Sequence, residues 1–438
     1  MSFPTAADYY SWCGSSTSNM VVSSSFSSIG GSFSFPSSLC LNYIAIRRDR
    51  RHRRRCSTRC LISDPESFEV GRLVGTYGFI NITTSYSSGL QLGTDNAPPE
   101  FSIQDIGGIG PFKVQDVGEG NVQIRLYEGR IAQGPFRGTP VLFKVYPGQQ
   151  VGGIEADMMA ANELNAHAFL QSDQKDVCQN IQILLGGFEM KTGEQWLAFR
   201  NDGIYSAADY ARVTSEKLLK VPNQGDQKFW NPFEKDQTLK RRRYFVTKLL
   251  QGTIRGLSFM HDRDRLHQSL GPYSVVLNTM VEKEAAYLIP RLRDLAFSVD
   301  IRYAQLKDGN GKLSEGLWRR ASAAGASTPL EKRAFGIADD IYEAGLLFAY
   351  LAFIPFCEAG TMDSLSLRRL LENTFQLDFE ATREYCLADD RLLEAVEFLD
   401  LSDGAGWELL QEMLNRDFGK RPTAEAVLNH RFLTGANL

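Results

Sequence analysis

Residues His267–Asn278 read HQSLGPYSVVLN, a polar loop that runs into a short apolar strand, and the stretches on either side of it decide the fold. Upstream, Tyr244–His261 (YFVTKLLQGTIRGLSFMH) sets its apolar residues at helical spacing. Downstream come Pro290–Ser298 (PRLRDLAFS) and the strongly apolar Asp340–Phe353 (DIYEAGLLFAYLAF). The longest uncharged apolar run, Ala344–Cys357, has fourteen residues, short of the roughly twenty that span a bilayer. A buried central helix accounts for it.

Taken in order, these stretches resemble a protein kinase. The loop stands where that family has H-R-D-L-x-x-x-N, with Ser269 at the catalytic Asp, Gln268 at the Arg, Gly271 at a frequent Lys and Ser274 at the metal-binding Asn. In kinases the Asp accepts the substrate hydroxyl proton and the Asn helps hold a second magnesium ion. Serine brings a carboxylate to neither task. Pro290–Ser298 resembles the strand and metal-binding turn of the family, with Asp294-Leu295-Ala296 in place of Asp-Phe-Gly. Asp340–Phe353 resembles the helix at the centre of the large lobe. Leu409–Phe432 (LLQEMLNRDFGKRPTAEAVLNHRF) matches the closing helices, with Arg421 as the structural Arg. The resemblance implies an α+β, two-lobed kinase-like fold: a small, mostly β lobe with one main helix and a larger, mostly helical lobe. Its expected extent is residues 103–436, divided near residue 200 and preceded by a linker over 61–102.

The small lobe is read from weaker signals. Val117–Gly129 (VGEGNVQIRLYEG) resembles a phosphate loop that keeps Gly118 and Gly120, with Gln123 for the third glycine and Arg125 for the valine over the adenine. A lone G-x-G often marks only a turn. Val141–Tyr146 (VLFKVY) resembles the V-A-I-K strand, placing Lys144 at the phosphate anchor and Leu142 where a small Ala leaves room for adenine. Glu163, in the helical stretch Ala156–Leu170, is the expected partner of Lys144, ahead of Glu155 at the start of that helix. The pair serves either nucleotide contact or structure. Asp294 either binds magnesium or caps the turn that follows, and His267 is expected to pack rather than to act as a base. ATP and magnesium are the cofactors implied, if Gly118, Gly120, Lys144, Glu163 and Asp294 still hold them. Phe68–Thr84 alternates and adds a hairpin to this lobe, Val221–Gln237 reads as a surface loop, and Lys307–Leu330 replaces the activation segment. Cys178, Cys357 and Cys386 lack metal or redox spacing.

The chain has 438 residues, 43% of them hydrophobic, enough for a sizeable core. Its first sixty residues differ from the rest, being rich in Ser, Phe and Gly and ending in a basic run, Arg47–Arg59. That acid-poor composition resembles a chloroplast transit peptide; a regulatory or nucleic-acid-binding tail is the alternative. Eight arginines against two aspartates give residues 1–60 a charge of +6, leaving −10 for the remainder of a chain whose total is −4. Such a remainder is not expected to grip nucleic acid. Its one basic cluster, Lys240–Arg243 (KRRR), reads as a solvated helix start, with an acidic partner or peripheral lipid attachment as the alternative. The expected function is that of a chloroplast pseudokinase serving as a scaffold, assembly or regulatory factor among other chloroplast proteins. An atypical active kinase and an ATP-binding sensor are the alternatives. Fused to a reporter, residues 1–70 should carry it into isolated chloroplasts and be shortened near Arg47–Ser63; a reporter left outside removes the assignment.

Overall fold

The computed structural model describes residues 61–81, 112–115, 120–172, 177–219, 232–308 and 312–435. Phe68–Asn81 (β1), Phe112–Gln115 (β2), Gly120–Ile131 (β3), Pro140–Tyr146 (β4), Leu184–Glu189 (β5) and Gln195–Arg200 (β6) form one sheet in the order β2-β1-β3-β4-β6-β5. All neighbours are antiparallel except β1 and β2. Alternation along β4 sends Val141, Phe143 and Val145 to an outer cluster with Trp196, and turns Leu142, Lys144 and Tyr146 inward. The inner face is covered by a helix at Gln149–Leu170 (α1), which packs Ala156, Met159 and Ala160 against Phe79, Ile124 and Phe199. Gly153 (φ +68°) breaks α1 near its start, a conformation that glycine adopts without a Cβ penalty.

The second lobe is helical. Its core gathers buried residues of Ala207–Leu219 (α2), Pro232–His261 (α3), Pro329–Phe353 (α5), Leu401–Met413 (α6) and Ala424–Asn429 (α7), while Glu315–Ala323 (α4) joins a smaller cluster. The start of α5 is fixed by Pro329 and by a capping box, in which Thr328 accepts from the Glu331 amide and Glu331 accepts from the Thr328 amide. Helix α5 buries Phe348, Leu351, Ala352 and Phe353 completely or nearly so, each large apolar side chain contributing roughly 1.5–3 kcal/mol. Among the described residues, no helix is long and apolar enough to cross a membrane.

Several expectations need correction. Strand β1 comes from Phe68–Thr84, the stretch expected to add to the small lobe, but it pairs with β3 from Phe68↔Ile131 to Asn81↔Gly120 instead of closing a hairpin of its own, so the sheet reaches into residues 61–102. Gly118 lies outside the described residues, and Gly120 opens the continuous strand β3, so the described part of Val117–Gly129 is strand and not a tight phosphate loop. The end of Val221–Gln237 already belongs to α3, which starts at Pro232. The stretch Lys307–Leu330 contains α4, whose Leu317, Trp318 and Ala321 pack on Leu266, Ile301 and Phe335. The KRRR cluster sits inside α3: Lys240 pairs with Asp236 at the surface, the buried Arg242 with Glu282 and Arg243 with Glu397, while Arg241 reaches only the Gln237 side chain.

Short strands carry the loops between the lobes: Tyr205–Ser206 (β7), Arg265–Leu266 (β8), Val275–Leu277 (β9), Arg291–Leu292 (β10) and Val299–Asp300 (β11). Strand β9 lies between β10 and β7, and β11 pairs with β8. The connection between the lobes presses close to β9: at Gly203 (φ +148°) a Cβ would meet the Leu277 carbonyl oxygen at 2.1 Å. From α5, the buried Asp340 pins the loop after β8. Its carboxylate accepts from the amides of His267 (2.8 Å) and Gln268 (2.9 Å), from Gln268 Nε2 (3.0 Å), and lies 3.0 Å from His261 Nε2. Those bonds hold Gln268 at φ +59°, unusual for a non-glycine residue. Burial alone would raise the Asp340 carboxyl, but the His261 bond and the neighbouring imidazoles bring it net below its ordinary value. Buried N–H groups that lose their acceptor cost about 1–3 kcal/mol each. Asp340→Ala should therefore lower the unfolding free energy by roughly 3 kcal/mol or more; a denaturant midpoint like that of the parent would show that the loop is held otherwise.

Candidate active site

Lys144 projects from β4 into the interior, where it meets both expected partners. Its Nζ lies 2.7 and 2.6 Å from the two Glu163 oxygens and 3.0 Å from Asp294 Oδ1. Glu155 makes no such contact; α1 brings Glu163 instead, and the Leu295 amide donates to Glu163 at 3.2 Å. All three charged groups are essentially inaccessible to solvent. Tyr146 donates to Glu163, and Tyr77 of β1 donates to Asp294 Oδ1 at 2.6 Å. Burial pushes both tyrosine hydroxyls well above their ordinary pKa, and the facing Asp294 and Glu163 carboxylates push them further, so both remain protonated donors. Asp294 adopts a left-handed backbone (φ +67°, ψ +51°) and does not cap the turn over Leu295–Phe297; its side chain is directed at Lys144 instead.

The five antiparallel strands, the helix that delivers Glu163 to Lys144, and the Asp340-pinned loop occupy the places the resemblance assigns. This is a two-lobed protein kinase-like fold. No protein-family model matches the sequence, and no curated protein matches it. Among solved structures, a similar one is the crystal structure of a Stt7 homolog from Micromonas algae soaked with ATP. It shares 18% identity over 90% of this chain and 99% of that one, with a TM-score of 0.48. The kinase-like architecture is read from the geometry described here and does not rest on that likeness.

The degenerate positions are built into local structure. Ser269 donates its hydroxyl to the Asp294 carbonyl, and its amide donates to His267 Nδ1 at 3.2 Å. Ser274 is fully buried, donates to the Gly271 carbonyl and accepts from the Gly271 amide, both at 2.8 Å. Its hydroxyl closes a turn and faces no open space. His267 is buried and sits 3.0 Å from the Arg293 carbonyl, as expected for a packing histidine. Neither acid near the loop replaces the missing base: Asp264 is held by Arg333 at 2.7 Å and Asp262 is exposed at the end of α3.

A cavity of about 300 Å³ remains between the lobes, lined by Val74, Leu126, Leu142, Ile204, Tyr205, Asp209, Arg212, Val213, Met280 and Arg293. Arg125 is not among its walls. It pairs with Val145 on the outer face, lies over the Tyr127 ring and bonds Glu194, while Leu126 stands opposite Lys144 on the inner face. The residue over the cavity is thus Leu126, one position along. Gln123 is exposed in mid-strand.

A magnesium ion does not fit the donor set. Asp294 Oδ1 already accepts from Tyr77 and Lys144, and Oδ2 lies 3.7 Å from Arg293 Nε. Magnesium needs near-octahedral oxygen ligands at about 2.0–2.1 Å, and the second metal-holding position is the turn-bound Ser274. Tyr77, Tyr146 and Arg293 were not singled out from sequence. Arg293 adjoins Asp294 and was open to notice; a tyrosine in an alternating strand carries no signal of its target.

His167 was missed as well. One turn beyond Glu163 on α1, it is completely buried, 3.9 Å from Glu163 Oε1 and against the Phe199 ring. Burial first, and then the Lys144 charge, lower its pKa from 6.5 to about 3. Between those values the unfolded chain binds a proton that the folded chain does not. Stability contributed above pH 6.5 is therefore lost as pH falls, at up to about 1.4 kcal/mol per pH unit. His167→Leu should flatten the stability–pH profile between pH 6 and pH 4 by about one proton, measured by denaturant unfolding; an unchanged slope would remove His167 as its cause.

Proposed function

We propose that this protein is a catalytically inactive kinase-fold protein of the chloroplast that acts through its surface as a scaffold, assembly or regulatory factor. The carrying observation is how Ser269 and Ser274 are used. One hydroxyl is given to the Asp294 carbonyl and the other closes its own turn. Proton acceptance by a positioned base contributes roughly 10²–10⁴-fold to rate, and no carboxylate stands at that place. Beside the loop, Gln268 lines a gap of only about 30 Å³ together with Gln115 of β2 and Leu317 and Arg320 of α4. The chloroplast assignment is supported by the acid-poor, arginine-ended first sixty residues.

The alternative, an atypical active kinase, is favoured by one observation: Lys144, Glu163 and Asp294 remain assembled. Phosphate transfer distinguishes the two. The purified protein should transfer no radiolabel from ATP above a Lys144→Met control, and the double change Ser269→Asp with Ser274→Asn should not restore efficient transfer. Transfer that disappears in Lys144→Met would establish the active reading in its place.

A further inference from the structure

Helix α3 is 30 residues long and buries one side, with Phe245, Leu249, Ile254, Leu257 and Met260 inside the large-lobe core. Its outer side carries a repeat that this packing does not use. Arg241, Lys248 and Arg255 recur at every seventh residue. With a rise of about 1.5 Å per residue, they stand roughly 10.5 Å apart along one face. Tyr244 and Phe259 share that face, three residues after Arg241 and four after Arg255. Tyr244 is 37% exposed with the Lys248 ammonium 5.5 Å from its ring centre, and the Arg263 guanidinium lies over Phe259 at 3.6 Å. Among the described residues, Lys248 and Arg255 have no carboxylate partner, and Arg241 meets only the Gln237 side chain. Two carboxylates beside the row are already engaged, Asp236 by Lys240 and Glu397 by Arg243. The next seventh residue, just past the helix, is the exposed Asp262.

We propose that this face of α3 docks an acidic amphipathic helix of a partner protein, its carboxylates seven residues apart against Arg241, Lys248 and Arg255 and its apolar side chains on Tyr244 and Phe259. Charge complementarity selects the partner. Residues 61–438 carry −10, so an acidic segment is repelled by the body as a whole and drawn to a row of cations that lack internal partners. Spacing selects its form. In an extended chain, side chains on one side recur at about 6.6–6.8 Å and fall out of step with the row, whereas a helix laid alongside repeats with it. Asp262 repels a fourth carboxylate and so sets where the acidic run must end. An anionic membrane is disfavoured, because recognition of that kind uses clusters of about four to eight cations and this row offers three in a line. Each exposed ion pair is weak and screened by salt, so the aromatic contacts must share the binding. The inference rests on the reading that the protein acts through its surface, and it is independent of the cavity between the lobes.

The test is fluorescence anisotropy of the full chain with a labelled synthetic peptide of three heptads, carrying Glu at every seventh position and Leu three and four residues after each. A peptide of the same composition in scrambled order and vesicles containing phosphatidylglycerol are the comparisons. The heptad peptide should bind with a Kd of about 100 µM or tighter at low salt and weaken about fivefold or more at about 0.5 M salt. The scrambled peptide should bind at least about tenfold more weakly. The double change Lys248→Glu with Arg255→Glu should abolish binding without altering the melting temperature, Lys248→Arg with Arg255→Lys should keep it, and Tyr244→Ala should weaken it. Should the charge-reversed protein fail to fold, Lys248→Gln with Arg255→Gln takes its place. The proposal is overturned if the heptad peptide does not bind at about 1 mM, if the scrambled peptide binds as tightly, or if folded charge variants bind like the parent. It is also overturned if the vesicles bind through Lys248 and Arg255 while the peptide does not compete with them. The inactive-kinase reading fails instead on a positive phosphate-transfer assay, so the two failures are separable.

Discussion

The structure depends on one buried lysine. Lys144 has lost its water and is held within 3.0 Å of two carboxylates from different elements, Glu163 of α1 and Asp294 of the turn after β10. Removing these charges from water costs several kcal/mol per ion, which mutual attraction offsets only when geometry and additional hydrogen bonds are good. Here Tyr146, Tyr77 and the Leu295 amide supply those bonds. The network cannot form unless α1 lies against the sheet and the Asp294 turn faces inward. One set of contacts therefore fixes the helix, the sheet and the interlobe turn together, and Phe297 secures the same arrangement by packing its ring 5.0 Å from that of Phe79.

What the network holds in place is the meeting of the two lobes of a kinase-like fold, with the Asp294 carboxylate engaged by protein groups. Tyr77 and Arg293 take up the Asp294 carboxylate, and Ser269 bonds the backbone carbonyl of the same residue. The changes are mutually consistent. A carboxylate at position 269 would stand against that carbonyl, and a carboxamide at 274 would outgrow a turn closed by a single hydroxyl. Replacing either serine would have to undo contacts that now hold the loop.

The large lobe was legible because its motifs are hydrogen-bonding devices with fixed spacing. Asp340 is recognisable together with His267 and Gln268 because one carboxylate must reach two successive amides. Arg421 is recognisable because its guanidinium spans the Asn415 and Ala338 carbonyls, joining the closing helices to α5. The small lobe lacked such anchors. Strand β1 shows only alternation, and its partner β3 is separated from it by the whole of residues 82–119. The position over the cavity was misread by a single residue, and in a strand that slip exchanges the inner face for the outer one. For KRRR the helix was legible but the pairing was not: it becomes visible only once Glu282, Glu394 and Glu397 are known to lie across from it.

Residues that answer to a distant neighbour are harder to read than residues that belong to a motif. Lys144, Glu163 and Asp294 were found because a retained set is bound by common geometry. Tyr77, Arg293 and His167 each answer to a neighbour remote in sequence, Asp294 lying 217 residues beyond Tyr77. Their side chains are intelligible only beside those neighbours: a buried guanidinium lies next to the Asp294 carboxylate, and the Tyr77 hydroxyl donates to it. A buried polar group persists only when it is satisfied, and the Asp294 carboxylate is satisfied from two sides, by Tyr77 of β1 and by the residue immediately before it, Arg293.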